Sequence, residues 1–129
     1  MLAESEIHHV AIICSNYERS RAFYTETLGF AVLEETFRAE RNSYKLDLRV
    51  GRHAQIELFS FPSPPPRVSR PEACGLRHLA FQVEDVEETH RRLSEKGVAV
   101  EEIRIDEITD KKFFFFADPD GLPLEVYQR

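Results

Sequence analysis

The sequence predicts an α+β protein built from two tandem βαβββ modules, on three observations. First, a short pattern recurs: Ile7-His-His-Val-Ala-Ile12 and Leu76-Arg-His-Leu-Ala-Phe81 both read apolar, any residue, His, apolar, Ala, apolar. Second, each copy is followed by a helix-start signal and, about three turns later, by a glycine placed as a C-terminal stop, Gly29 or Gly97. Third, unlike landmarks keep a near-constant offset: His9 to His78 is 69 residues, while Gly29 to Gly97 and Glu57 to Glu125 are each 68. One coincidence carries little weight; three of different kinds indicate duplication.

Module 1 is expected over about residues 5–61. Its first strand leads to Ser15-Asn-Tyr-Glu18, which reads as a capping box. Beyond Gly29 come strand-like stretches at Phe30–Phe37, Tyr44–Val50 and Gln55–Phe61, the last two joined by a turn at Gly51-Arg-His-Ala54. Residues 62–75 open with Pro62-Ser-Pro-Pro-Pro66, and prolines exclude both helix and central strand, so this is a linker. Module 2 then occupies 76–129. Its helix starts at Asp85-Val-Glu-Glu88, and its strands are expected at Val98–Ile105, Lys112–Ala117 and Pro123–Tyr127, with a strong reversal at Asp118-Pro-Asp-Gly121.

The bulk numbers fit one compact domain: 129 residues, 42% hydrophobic, with 10 Phe and 4 Tyr to build a core. Charged residues make up 31%, and no apolar run approaches the ~20 residues of a membrane span. Nor does Met1 to Glu6 hold the apolar core of a signal peptide, so a cytoplasmic protein is expected. A net charge of −6 with no basic stripe disfavours nucleic acid as a partner. Cys14 and Cys74 lack CxxC partners and are expected as free thiols.

Four polar residues stand out against the alternation of strand faces. Val10, Ile12 and Cys14 share the bulkier face of the first strand and should pack on the helix, which leaves His9 with Ala11 and Ile13 on the opposite, concave face. His78 repeats this beside Leu79, Phe81 and Val83. In Ile56-Glu-Leu58 and Leu124-Glu-Val126 the apolar neighbours claim the helix side, so Glu57 and Glu125 point into the same concavity as the histidines. A carboxylate buried there needs a partner: a divalent cation, a histidinium or an arginine. Two imidazoles with two carboxylates suit Zn, Ni, Co, Mn or Fe rather than Cu(I). By alternation His8 points away from His9, and His53 and His90 fall on a turn and a charged helix.

The repeat, His9, Glu57, His78, the Asp118-Pro-Asp-Gly121 turn and Glu125 together resemble the vicinal oxygen chelate superfamily over almost the whole chain. The segments Ile56-Glu-Leu-Phe-Ser-Phe-Pro62 and Arg70 through Phe81 are similar to the small glyoxalase I-like, lactoylglutathione lyase-related proteins of the YaeR-like branch. The resemblance implies a cupped, incompletely closed β-barrel, one divalent metal per site held by His9, Glu57, His78 and Glu125 (Zn or Ni foremost), a homodimer and a small-molecule substrate.

That resemblance also implies a glyoxalase I-like lyase or isomerase that works through a metal-stabilised enediolate, with Glu125 or Glu57 leaving the metal to shuttle the proton. Glyoxalase I has an Arg late in its first strand and an Asn after its first carboxylate, where this chain has Ile13 and Phe61, so glutathione is not the expected thiol. Lys45 and Arg49, alternating with Leu46, Leu48 and Val50, are the candidate substrate-binding cations. The competing readings are an iron-dependent dioxygenase and a non-catalytic small-molecule binder on the same frame.

Overall fold

The computed structural model describes residues 1–129 as two compact units, 1–66 and 67–129. Unit 1 contains β1 (His9–Cys14), α1 (Tyr17–Ala22), β2 (Ala31–Arg38), β3 (Ser43–Val50) and β4 (Ala54–Ser60). Unit 2 contains β5 (Leu79–Val83), α2 (Val86–Glu95), β6 (Arg104–Ile105), β7 (Lys112–Ala117) and β8 (Pro123–Gln128). Each unit is an open four-stranded sheet, in the orders β1-β4-β3-β2 and β5-β8-β7-β6. In both, the first strand runs parallel to the last and the other pairings are antiparallel. This is the α+β, twice-repeated βαβββ fold that the sequence predicts.

The alternation of apolar residues decides which face meets the helix. Leu46, Leu48, Ile56 and Leu58 are fully or almost fully buried in unit 1, as are Phe114, Leu124 and Val126 in unit 2. Each such side chain contributes about 1.5–3 kcal/mol by leaving water. Ile12 and Cys14 are buried while His9, Ala11 and Ile13 are exposed, as the alternation requires. Both cysteines are free thiols, Cys14 buried and Cys74 exposed. No helix is long and apolar enough to cross a membrane.

The helix ends follow local chemistry. Asp85 caps α2 by accepting the Glu88 N–H at 2.8 Å. The helix closes with Gly97 at φ 83° and the Val98 N–H returning to the Leu93 carbonyl at 3.1 Å, a left-handed cap that costs glycine no Cβ clash. In unit 1 the cap is Asn16 rather than Ser15: its backbone is extended and its Oδ1 accepts the Arg19 N–H at 3.1 Å, one residue later than the capping box implied. From Phe23 to Thr27 the helix widens into a π turn that seats Tyr24 wholly out of water.

The stretch expected as strand over Val98–Ile105 is reduced to Arg104–Ile105. Val98 is spent on closing α2, and Glu101 makes a single bond to β7, its N–H donating to the Phe115 carbonyl at 2.9 Å. The other strands keep their expected positions within a residue or two, except that β5 begins at Leu79 rather than near Leu76. His78 thus immediately precedes its strand.

Candidate metal centre

Each unit brings one histidine against one glutamate. In unit 1, Ala11 lies opposite Glu57 in the parallel β1–β4 ladder, so His9, two residues earlier on the same face, reaches the carboxylate. His9 Nε2 is 2.9 Å from Glu57 Oε2. In unit 2, Ala80 lies opposite Glu125, and His78 Nε2 is 3.0 Å from Glu125 Oε2. The two pairs are therefore built by the same backbone register. Both carboxylates are mostly buried, with side chains 13% and 12% exposed. Neither unit holds a group of three or more His, Cys, Asp or Glu side chains placed for a metal.

The surroundings of the pairs differ. Asp47 faces Glu57 across β3–β4, and Lys45 Nζ stands 2.8 Å from Asp47 Oδ1 and 3.3 Å from Glu57 Oε1. The Asp47 hydrogen bond, with a smaller one from Glu57, pushes the Lys45 ammonium above its ordinary range. Arg49, opposite Gln55 on the same face, makes no ion pair. Around Glu125 the neighbours are aromatic instead: Phe115 is its cross-strand partner and lies edge-on to the His78 ring at 5.1 Å, and Phe113 stacks on Tyr127. No lysine or arginine pairs with Glu125.

The histidine rings are also held differently. His8 turns toward His9, their Nδ1 atoms 2.9 Å apart and the rings perpendicular, contrary to the expectation from alternation. His8 precedes β1, so strand alternation does not govern it. Its ring orients His9 through the nitrogen that does not face Glu57. His78 Nδ1 is buried with no hydrogen-bond partner. The backbone before His78 is fixed instead by Arg67, whose guanidinium donates to the Leu76 and Arg77 carbonyls at 3.1 and 2.9 Å. Glu125 follows a rigid reversal: buried Asp118 accepts the Asp120 and Leu122 N–H groups, each at 2.9 Å, and Gly121 sits at φ 83°.

Sequence reasoning missed Arg38. Its guanidinium carbon lies 4.7 Å from the Phe59 ring centre and 5.6 Å from that of Phe61, and it donates to Ser43 Oγ at 2.7 Å. The signal was available in the even spacing Thr36, Arg38 on β2, which places Arg38 on the face of Lys45 and Glu57. His90 is not idle either: Nε2 is 2.9 Å from the Glu101 carbonyl and its ring packs edge-on against Phe114.

Two open βαβββ sheets, each offering a His–Glu pair on the face away from its helix, define a class of duplicated, donor-lined sheet proteins. The chain belongs to the Glyoxalase/Bleomycin resistance protein/Dioxygenase superfamily, whose model matches residues 6–126. It is 58% identical to YwkD of Bacillus subtilis and 52% identical to YaeR of Escherichia coli, each over the full length of both chains. The crystal structure of a glyoxalase family protein from Enterococcus faecalis superposes with a TM-score of 0.89 at 52% identity, covering 96% of this chain and 98% of that one. More distant relatives carry enzyme names: metallothiol transferase FosB of Staphylococcus haemolyticus is 31% identical over 94% of this chain and 81% of its own, and Glyoxylase I 4 of Arabidopsis thaliana is 28% identical over 95% and 70%.

Proposed function

We propose that the chain is a metal-dependent, glyoxalase I-like lyase or isomerase acting on a small oxygen-bearing substrate. The observation that carries the reading is the repeated His–Glu pair, set by one register in both units. Two donors are too few to hold a divalent ion against water, so the ligand set is His9, Glu57, His78 and Glu125 together, with one ion per site, Zn or Ni foremost. The donors fit: imidazole nitrogen and carboxylate oxygen are borderline-to-hard ligands. Within each pair the imidazole nitrogen already lies against the carboxylate, at 2.9 and 3.0 Å, so the two donors face one another. The set is completed in a homodimer, with His9 and Glu57 from one protomer and His78 and Glu125 from its partner.

When bound, the ion supplies electrophilic stabilisation of charge developing on two neighbouring substrate oxygens. Proton movement belongs to the chain. Glu125 is the better carrier, because no ammonium competes for its oxygens, whereas Glu57 shares its charge with Lys45. Lys45 and Arg49 are the cations for an anionic substrate; Lys45 is already paired with Asp47 and Glu57, so Arg49, which makes no ion pair, is the freer of the two. Ile13, exposed on the His9 face, offers nothing to a charged glutathione end, which supports a different substrate.

Metal-stripped protein reloaded with Zn, Ni, Co or Mn tests the site. One ion per site is expected, with at least tenfold weaker binding in each of His9→Ala, Glu57→Gln, His78→Ala and Glu125→Gln. Light scattering should give a dimer. A screen of 2-oxoaldehydes with several thiols then reads turnover, which Glu125→Gln should abolish. Retention of metal in all four variants would overturn the ligand set, and metal binding without turnover of any substrate would leave a binding protein.

A further inference from the structure

We propose that Arg38 and Arg41, at the β2–β3 connection, bind the carboxylate of a small organic acid. This deepens the preceding reading by naming a substrate class, and rests on it only for the far end of the ligand. Arg38 ends β2 paired with Ser43, and residues Ala39–Arg41 make one tight turn before Asn42 at φ 46°. The Arg38 guanidinium is held over Phe59 and Phe61 and tied to Ser43 Oγ at 2.7 Å, yet its Nε is buried without a partner. A buried, unpaired donor on a charged group is costly; Nε has no exposed surface, so a ligand meets the outer guanidinium nitrogens and reaches Nε only if the side chain shifts. Neither Arg38 nor Arg41 has a carboxylate partner within the protein.

Both arginines line an open surface depression of about 500 Å³ with Ala39 and Glu40, which leaves room for one end of a small organic ligand. Two guanidinium groups against one Glu40 carboxylate leave a single net positive charge, which matches a monoanion better than a phosphate dianion. The guanidinium fork is planar, pre-oriented by the rings beneath it, and complementary to a planar carboxylate.

The position also sets the ligand's length. Phe59, under the Arg38 guanidinium, is two residues from Glu57 on the same strand and face. Two residues of strand span about 7 Å. An acid whose carboxylate sits on Arg38 and whose reacting oxygens reach Glu57 therefore separates the two by several bonds.

The test uses the full-length, metal-free protein, so that it does not depend on the metal site. Benzoate and, separately, inorganic phosphate are titrated while the Arg38 Nε–H and the Ser43 and Asn42 amide resonances are followed by NMR. Saturable shifts with benzoate are expected. Binding should weaken at least tenfold in Arg38→Lys and several-fold in Arg41→Ala, and be unchanged in Glu95→Gln, at the end of α2 in the other unit. Saturation by phosphate but not benzoate would overturn the carboxylate assignment. Shifts that never saturate, or that persist equally in both arginine variants, would overturn the site while leaving the metal reading untouched.

Discussion

Lys45 Nζ lies 3.3 Å from Glu57 Oε1 and 2.8 Å from Asp47 Oδ1, so an ammonium already shares the carboxylate that is proposed to hold the metal. Its charge opposes a divalent cation at Glu57. Two unit charges about 4 Å apart interact by about 1–4 kcal/mol at effective dielectrics between water and a protein surface. Lys45→Ala should therefore bind Zn or Ni about tenfold more tightly than the unaltered protein, measured by competition with a chromogenic chelator. Weaker binding in this variant would mean that Lys45 supports the site rather than opposing it.

Arg67 acts on His78 at one remove, through the backbone. Its two hydrogen bonds to the Leu76 and Arg77 carbonyls fix a segment that belongs to neither helix nor strand. Arg67→Ala frees that segment and should lower metal affinity about tenfold, in the range of losses seen when groups that orient metal ligands are removed. Arg67→Lys should recover only part of it, since an ammonium cannot reproduce the fork. A Zn affinity equal to that of the unaltered protein would sink the idea, and the far-ultraviolet circular dichroism spectrum separates this local effect from unfolding.

Asp118 is a stability residue in the turn that leads to Glu125, a proposed metal ligand. Its buried carboxylate accepts two backbone N–H groups across the turn that leads to Glu125. Asp118→Ala leaves both donors unpaired, one of them on buried Leu122, and should cost about 2–4 kcal/mol in urea unfolding. A loss below about 0.5 kcal/mol would show that the turn is held by its remaining backbone bonds.

The duplication, the helix-facing alternation and the two His–Glu pairs were legible in the sequence because each rests on period-two patterning or on glycine and aspartate turn chemistry. Where long-range partners decide, the sequence was silent. His8 follows its neighbour's ring and not a strand period: it lies one residue before β1, held to β4 only by its carbonyl, which accepts the Gln55 N–H at 2.9 Å. Val98–Ile105 has strand-like composition, but the Schellman closure of α2 takes its first residue and β7 takes only isolated bonds from the rest. Arg38 reads as an ordinary edge-strand arginine until Phe59 and Phe61, more than twenty residues later, are seen beneath it.

A triangle on the helix side of unit 1 gives a pH prediction that does not involve the proposed metal ligands. Glu35 of β2 accepts from Arg21 Nε at 2.8 Å and from the Tyr17 hydroxyl, tying both α1 residues to an edge strand. The Arg21 hydrogen bond first, then that of Tyr17, holds the Glu35 carboxyl below its ordinary 4.5. A carboxylate with a depressed folded pKa stabilises the fold fully above its unfolded value and loses that contribution as pH falls through the folded one. Unfolding stability should thus fall as pH drops below about 4.5, and Glu35→Gln should flatten part of that slope while remaining less stable at pH 7. The side chains are over a third exposed, so solvent screening limits the loss at pH 7 to about 1 kcal/mol or less. Tyr17→Phe should remove only the lesser share of the acid slope. An identical acid limb in Glu35→Gln and the unaltered protein would show that other carboxylates carry the whole transition.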